Sequence, residues 1–222
     1  MQKILIGDEL FKVSDKDAKN LVSWLKVRNK MDALNGRAGV RSVWNSIDKP
    51  IRGLVYQLNR IGLKTRFSCC GFTYNDEEEP KSHCKVPYVQ FYVNVEDPDQ
   101  VYNFRYLERS LKHWNNDHNG EGFYYRLSMM RTKETSGIKD TILMSMSIVV
   151  DPEVQNMYYS NDGFAIHDYE PIVILIDWAE NAIKKVSIGY SDKFSIEDGN
   201  KLCMEQVAGW GVLPKKDKTF TI

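Results

Sequence analysis

Residues 86–95 place Val89, Phe91, Val93 and Val95 in strict alternation with Tyr88, Gln90, Tyr92 and Asn94. That period of two describes an extended strand with one covered face. Residues 123–130 and 141–150 repeat the alternation, joined by a polar turn around Ser136-Gly137, and residues 64–73 read as a further strand. Ahead of each strand pair the period changes to 3.6. Ile51, Leu54, Val55, Leu58 and Ile61 form one helical stripe, and Val101, Phe104, Leu107, Leu111 and Trp114 form the other. A chain that switches periods at matching places in two successive halves is expected to build an α+β fold, an antiparallel sheet of four or more strands with helices packed on one face.

Caps and breakers set the boundaries. Ser14-Asp15-Lys16-Asp17 reads as a capping box for a first helix to about residue 29. Asp48 suits the cap of the next helix, Pro50 suits its first turn, and Gly62 ends it. Asp97-Pro98 opens a helix that closes in the polar run Asn115 to Gly120. Asp168 and Pro171 open a fourth over 171–186, although its first residues, Ile172 to Ile176, equally suit a buried strand. Beyond Ser187 the pattern weakens to a short strand at 194–196, a short helix at 199–208 and an irregular tail. The expectation is one domain over 1–222, with an N-terminal helical part (1–62), a sheet-bearing part (63–190) and an irregular extension (191–222).

Composition narrows the function classes. At 222 residues and 42% hydrophobic the chain suffices for one sizeable core. Lys+Arg and Asp+Glu balance at 30 each, so no bulk field draws it to a polyanion, and only a local patch could do so. The first apolar run is too short for a secretion signal and no later stretch matches a membrane span, which points to an intracellular, cytoplasmic protein without a membrane partner. Four cysteines, two of them adjacent, are too few for a disulfide framework, and reduced thiols follow.

The stretch Thr65-Arg66-Phe67-Ser68-Cys69-Cys70-Gly71-Phe72 concentrates the chemistry. If Val89, Phe91 and Val93 point at the helices, strand alternation assigns Phe67 and Cys69 to the same side. Arg66, Ser68 and Cys70 then share the open side with Gln90, Tyr92, Tyr124, Arg126, Ser128, Ser145 and Ser147. Tyrosines that stack on bases, arginines that fork onto phosphate and hydroxyls that hydrogen-bond suit a nucleotide or single-stranded RNA. The same residues are also ordinary on a solvated sheet face. The candidate ligand-binding residues are therefore Thr65, Arg66, Ser68, Cys70, Gly71, Tyr92, Tyr124 and Arg126, with catalytic residues and cofactor unassigned. Cys69 reads as a buried structural residue and Cys70 as the candidate reactive thiol, with Arg66 favouring thiolate. Cys69-Cys70 with His83-Cys84 lacks zinc-knuckle spacing, and adjacent strand cysteines project to opposite faces, so the cysteines read as metal-free. His113 and His118 read as surface residues. His167 lies at a helix start.

Asn45-Ser46-Ile47-Asp48, then Leu58-Asn59, Gly62, Thr65 and Ser68-Cys69-Cys70-Gly71, resembles the opening of the wybutosine-synthesis tRNA methyltransferase family over about 30 residues. The same pattern resembles small bacterial and phage proteins in which a histidine often follows the glycine. Phe72 stands where the first family has arginine, Cys70 replaces a serine, and the family's later Trp and Ser-His have no counterpart here. The resemblance thus implies a shared fold and a ligand at the Ser-Cys-x-Gly turn, with RNA modification as the implied activity, and does not carry S-adenosylmethionine over. The competing expectation is a phage-type interaction or structural protein with no ligand site, which would use exposed apolar surface such as Met157-Tyr158-Tyr159.

Overall fold

The computed structural model describes residues 1–6, 9–34, 43–71, 86–131, 140–151 and 170–189. Strands β1 (Gln2–Ile6) and β2 (Glu9–Val13) form an antiparallel hairpin, followed by α1 (Asp15–Leu34), two short 3-10 turns (Val43–Ser46 and Lys49–Ile51) and α2 (Arg52–Arg60). Then come β3 (Thr65–Cys69), β4 (Tyr88–Asn94), α3 (Pro98–Asp117), β5 (Phe123–Arg131), β6 (Thr141–Val150) and α4 (Glu170–Gly189). The four-stranded antiparallel sheet has the order β3-β4-β6-β5, so the fold is α+β. The expected short elements at 194–196 and 199–208 lie outside the described residues.

The part expected to be helical, 1–62, holds α1 and α2 and also an N-terminal hairpin that the sequence pattern did not indicate. Its strands are five residues each, too short for a strong periodic signal. Tertiary contact holds them: Ile6 and Val13 are buried in the core, and Phe11 stacks on Tyr56 at 4.3 Å with Trp44 edge-on to both rings. The Trp44 indole N–H donates to Glu9 Oε1 at 2.8 Å.

Helix ends follow local chemistry. Ser14 Oγ accepts from the Asp17 amide at the start of α1, and Asp97 accepts from the amides of Asp99 and Gln100 at the start of α3. Gly62 adopts φ +91°, the left-handed conformation that closes the turn after α2. Residues 172–176 are helical, which resolves the helix-or-strand alternative at the start of α4. The core lies between sheet and helices: Val89, Phe91 and Val93 of β4 and Ile142, Met144, Met146 and Ile148 of β6 meet Phe104, Leu107 and Leu111 of α3 and Leu54 and Leu58 of α2.

Polar side chains thread the helical layer. Arg60 pairs with Asp17 at 3.3 Å and donates through Nε to Gln57 Oε1 at 2.7 Å, while Gln57 hydrogen-bonds Glu180 on α4. Gly53 makes room for that carboxylate, since a Cβ there would stand 1.9 Å from Glu180 Oε2. Burial, aided by Asp177, raises the Glu180 pKa above 4.5, against the opposing pull of Gln57 and Lys184. The folded state therefore holds this proton more tightly than the unfolded chain, and stability falls as pH rises from the ordinary carboxylate value through the raised one. Glu180→Gln keeps an acceptor for Gln57. It should raise the melting temperature at neutral pH by a small increment that closes as pH drops below 4.5, as followed by thermal denaturation across pH.

Candidate functional site

The turn after α2 is fixed by a buried amide. Asn59 is 0% exposed, and its Nδ2 donates to Val55 O at 2.7 Å and to Thr65 Oγ1 at 2.8 Å, while its Oδ1 accepts from Thr65 N at 3.0 Å. Thr65 thus points back at α2. At the other end of β3, Asp48 Oδ2 accepts from Cys70 N at 2.8 Å. Asp48 makes no side-chain cap bond to the 3-10 turn that follows it, so the expected helix cap instead holds the end of the strand. Gly71, at φ +79°, lets residues 86 and 87 approach: a Cβ would lie 2.4 Å from Pro87 N and 2.7 Å from Val86 C. The close approach expected at this glycine is made by backbone.

Strand β3 does not keep a simple alternation. Thr65 opposes Phe91 and Ser68 opposes Val89, with an irregularity in register between them. The extra residue turns Ser68 to the helix side and leaves Phe67 46% exposed, reversing the expected assignment of both. Cys70 is likewise corrected. It lies beyond the strand, is 2% exposed and joins the hydrophobic core, where burial suits an inert thiol rather than a reactive one. Cys69 is buried as expected, but the register pairs it with Tyr88, so it lies on the face opposite to the helix side expected for it, and its Sγ accepts from Gly71 N at 3.4 Å. Among the described residues no group of three metal-ligating side chains assembles, and His83, Cys84 and His167 lie outside them.

The rearrangement makes a cavity of about 80 Å³ on the helix side, between α1, the turn at Ser46 and Ile47, α2 and β3. Its polar lining comes from Trp24, Arg28, Ser46, Thr65, Arg66 and Ser68. Among the described lining residues there is no carboxylate. The Trp24 indole N–H and Arg66 Nε are buried with no hydrogen-bond partner in the described structure, and Trp24 as a whole is 2% exposed. Arg28 donates through Nη1 to the Arg66 carbonyl, which draws the second guanidinium to the same strand. The Arg66 guanidinium also lies over the Phe67 ring, 5.0 Å from its centroid. Trp24 and Arg28 carry no signal in the pattern around β3, because they belong to a helix distant in sequence, and Phe67, expected on the core side, is exposed instead.

The other candidate residues stay on the opposite face. Register aligns Tyr88 with Ser147 and Gln90 with Ser145 between β4 and β6, and aligns Arg126 with Ser147 and Ser128 with Ser145 between β5 and β6. Tyr124 and Arg126 are exposed near the β5 edge and Tyr92 is half-buried, but Leu143, Ser145 and Ser147 along the central strand are buried. This face is less open at its centre than the alternation suggested. The eight candidates therefore separate. Thr65, Arg66 and Ser68 line the cavity, Cys70 is buried in the core, Gly71 packs against the backbone at Val86 and Pro87, and Tyr92, Tyr124 and Arg126 are across the sheet.

Two substitutions test how the turn is held. Asp48→Ala removes the acceptor of Cys70 N and should cost about 1–3 kcal/mol in urea unfolding, with Asp48→Asn, which keeps an oxygen, losing less than half as much. Gly71→Ala should cost more than the roughly 1–2 kcal/mol of a left-handed alanine, because the backbone at Pro87 must also move. No protein-family model, curated protein or solved structure matches the chain.

Proposed function

We propose that this protein binds a nucleotide or single-stranded RNA, taking a phosphate into the cavity between α1 and β3 and laying a base on Phe67. The observation that carries the reading is that Trp24, Arg28 and Arg66 line one cavity with Ser46, Thr65 and Ser68, and that the Trp24 indole N–H and Arg66 Nε are buried with no acceptor in the described structure. Guanidinium and indole groups only donate, so their natural complement is an anion rich in acceptor oxygens. A buried donor without an acceptor costs about 1–3 kcal/mol, which a bound oxyanion offsets. By volume, about 80 Å³ holds a few waters or one tetrahedral oxyanion and leaves no room for a base. The exposed Phe67 ring at its rim, already under a guanidinium, offers the adjoining stacking surface.

This reading moves the ligand from the open sheet face, where Tyr92, Tyr124 and Arg126 lie, to the helix side of β3. It is a binding function, and the modification that the tRNA methyltransferase resemblance implies would need chemistry beyond these donors. With net charge +0 the affinity depends on local contacts, so it should be modest and sensitive to salt.

Calorimetric titration with adenosine 5′-monophosphate, adenosine and a short 5′-phosphorylated RNA provides the test. The phosphorylated compounds should bind and adenosine should bind far more weakly. Arg66→Ala should weaken binding tenfold or more, from the loss of about 1.5–3 kcal/mol of charge-assisted hydrogen bonding, and should flatten the salt dependence. Phe67→Ala should cost about 1–3 kcal/mol for RNA and little for inorganic phosphate. Equal binding by wild type and Arg66→Ala would overturn the reading. If nothing binds, a protein-interaction role is the better account. The surface expected for it, Met157 to Tyr159, lies outside the described residues.

A further inference from the structure

We infer that the cleft between the end of α3 and the start of β5 is a second ligand site, taking a small neutral molecule that carries several hydroxyl groups, of the sugar class. The cleft is open to solvent on one side and has a volume of about 510 Å³, within the range of roughly 300–1,000 Å³ typical of small-molecule sites. Its chemistry is the reverse of the cavity at β3. His118, Asn116, Asn119, Tyr124 and Asp151 line it, and the described lining contains no lysine or arginine.

His118 is the best-defined group. Its ring stacks on Trp114 at 4.2 Å and 6°, which sets its plane, and its Nδ1 lies 2.9 Å from the Trp114 carbonyl oxygen. A carbonyl only accepts, so Nδ1 is the donor in this contact, and Nε2 is the ring nitrogen that lies outside it. Trp114 is itself locked against Tyr125 and Trp178. Asn115, spent on both backbone groups of Tyr125 at 2.8 Å, fixes the helix end to β5. The imidazole is therefore held by structure rather than left loose in a polar turn.

The surrounding groups define the class of ligand. The Asp151 carboxylate accepts, the His118 ring offers its second nitrogen, and the amides of Asn116 and Asn119 both donate and accept. A hydroxyl, which also does both, can satisfy each of them. The carbonyl end of α3 and the Asp151 carboxylate make the cleft unfavourable to anions, which separates it from the phosphate site. Tyr124, 37% exposed, supplies an aromatic wall suited to the apolar C–H face of a sugar ring. At Gly120 an added Cβ would meet nothing within 4 Å, so the rim there is open.

The test is carbon–proton NMR of the histidine rings in the full chain, titrated to millimolar levels with ribose, glucose and N-acetylglucosamine, and separately with putrescine and inorganic phosphate. At least one sugar should shift the His118 ring signals saturably. His113, exposed on α3 and paired with Asp117 at 3.0 Å, should stay unmoved. Asn119→Trp, at an exposed position, should fill the cleft and abolish the shift while leaving the rest of the spectrum in place. The inference is overturned if no sugar moves His118, if only putrescine or phosphate does, or if the sugar response survives in Asn119→Trp.

Discussion

The side-chain amide of Asn59 is the interaction on which the arrangement around β3 depends. It is fully buried and joins the last turn of α2 to both the backbone and the hydroxyl of Thr65. An unpaired amide at this depth would cost several kcal/mol in gross terms, so helix and strand are tied in one relative position. Everything downstream inherits that geometry. Thr65 is committed to the helix side, the irregularity that follows turns Ser68 the same way, and Asp48 fastens the far end of the strand at Cys70.

One consequence is electrostatic. A regular β3 would have sent Ser68 to the open face, beside the tyrosines of β4. The irregular strand gathers Arg66 and Ser68 with Trp24 and Arg28 of α1 into a small donor-rich cavity, although the chain as a whole carries no net charge. Local charge is therefore concentrated by folding rather than by composition. The opposite edge of the sheet shows the complementary case, where the end of α3, Asp151 and a fixed imidazole create a cleft without cations among its described lining.

The helical layer connects these regions through polar contacts as well as apolar ones. The chain from Asp17 through Arg60 and Gln57 to Glu180 crosses α1, α2 and α4, and Tyr125 on β5 donates to the Leu175 carbonyl of α4 at 2.5 Å. Burial raises the Tyr125 phenol far above its ordinary pKa, so it remains a donor throughout the accessible pH range. No helix among the described residues is long and apolar enough to cross a membrane, in keeping with amphipathic helices that each spend their apolar stripe on this core.

The sequence by itself determined the period of each long element. The alternation of Val89, Phe91 and Val93, the stripes through Leu58 and Leu107, the Asp97 cap and the left-handed Gly62 all act within a few residues, and local geometry was enough to read them. It also marked the motif from Asp48 through Asn59 and Thr65 to Gly71 as the place where unusual residues concentrate. Tertiary structure decided what those residues do. Which way Phe67 and Ser68 face depends on one irregularity in register, and a single-residue slip reverses every side chain beyond it. The N-terminal hairpin exists because Phe11 finds Tyr56, and the donor cavity exists because Trp24 and Arg28 arrive from another helix. The orientation of His118 depends on Trp114, whose ring stacks on the imidazole and whose carbonyl accepts a hydrogen bond from Nδ1. Such features rest on contacts between residues far apart in the chain or on the exact pairing of strands, which periodicity does not encode.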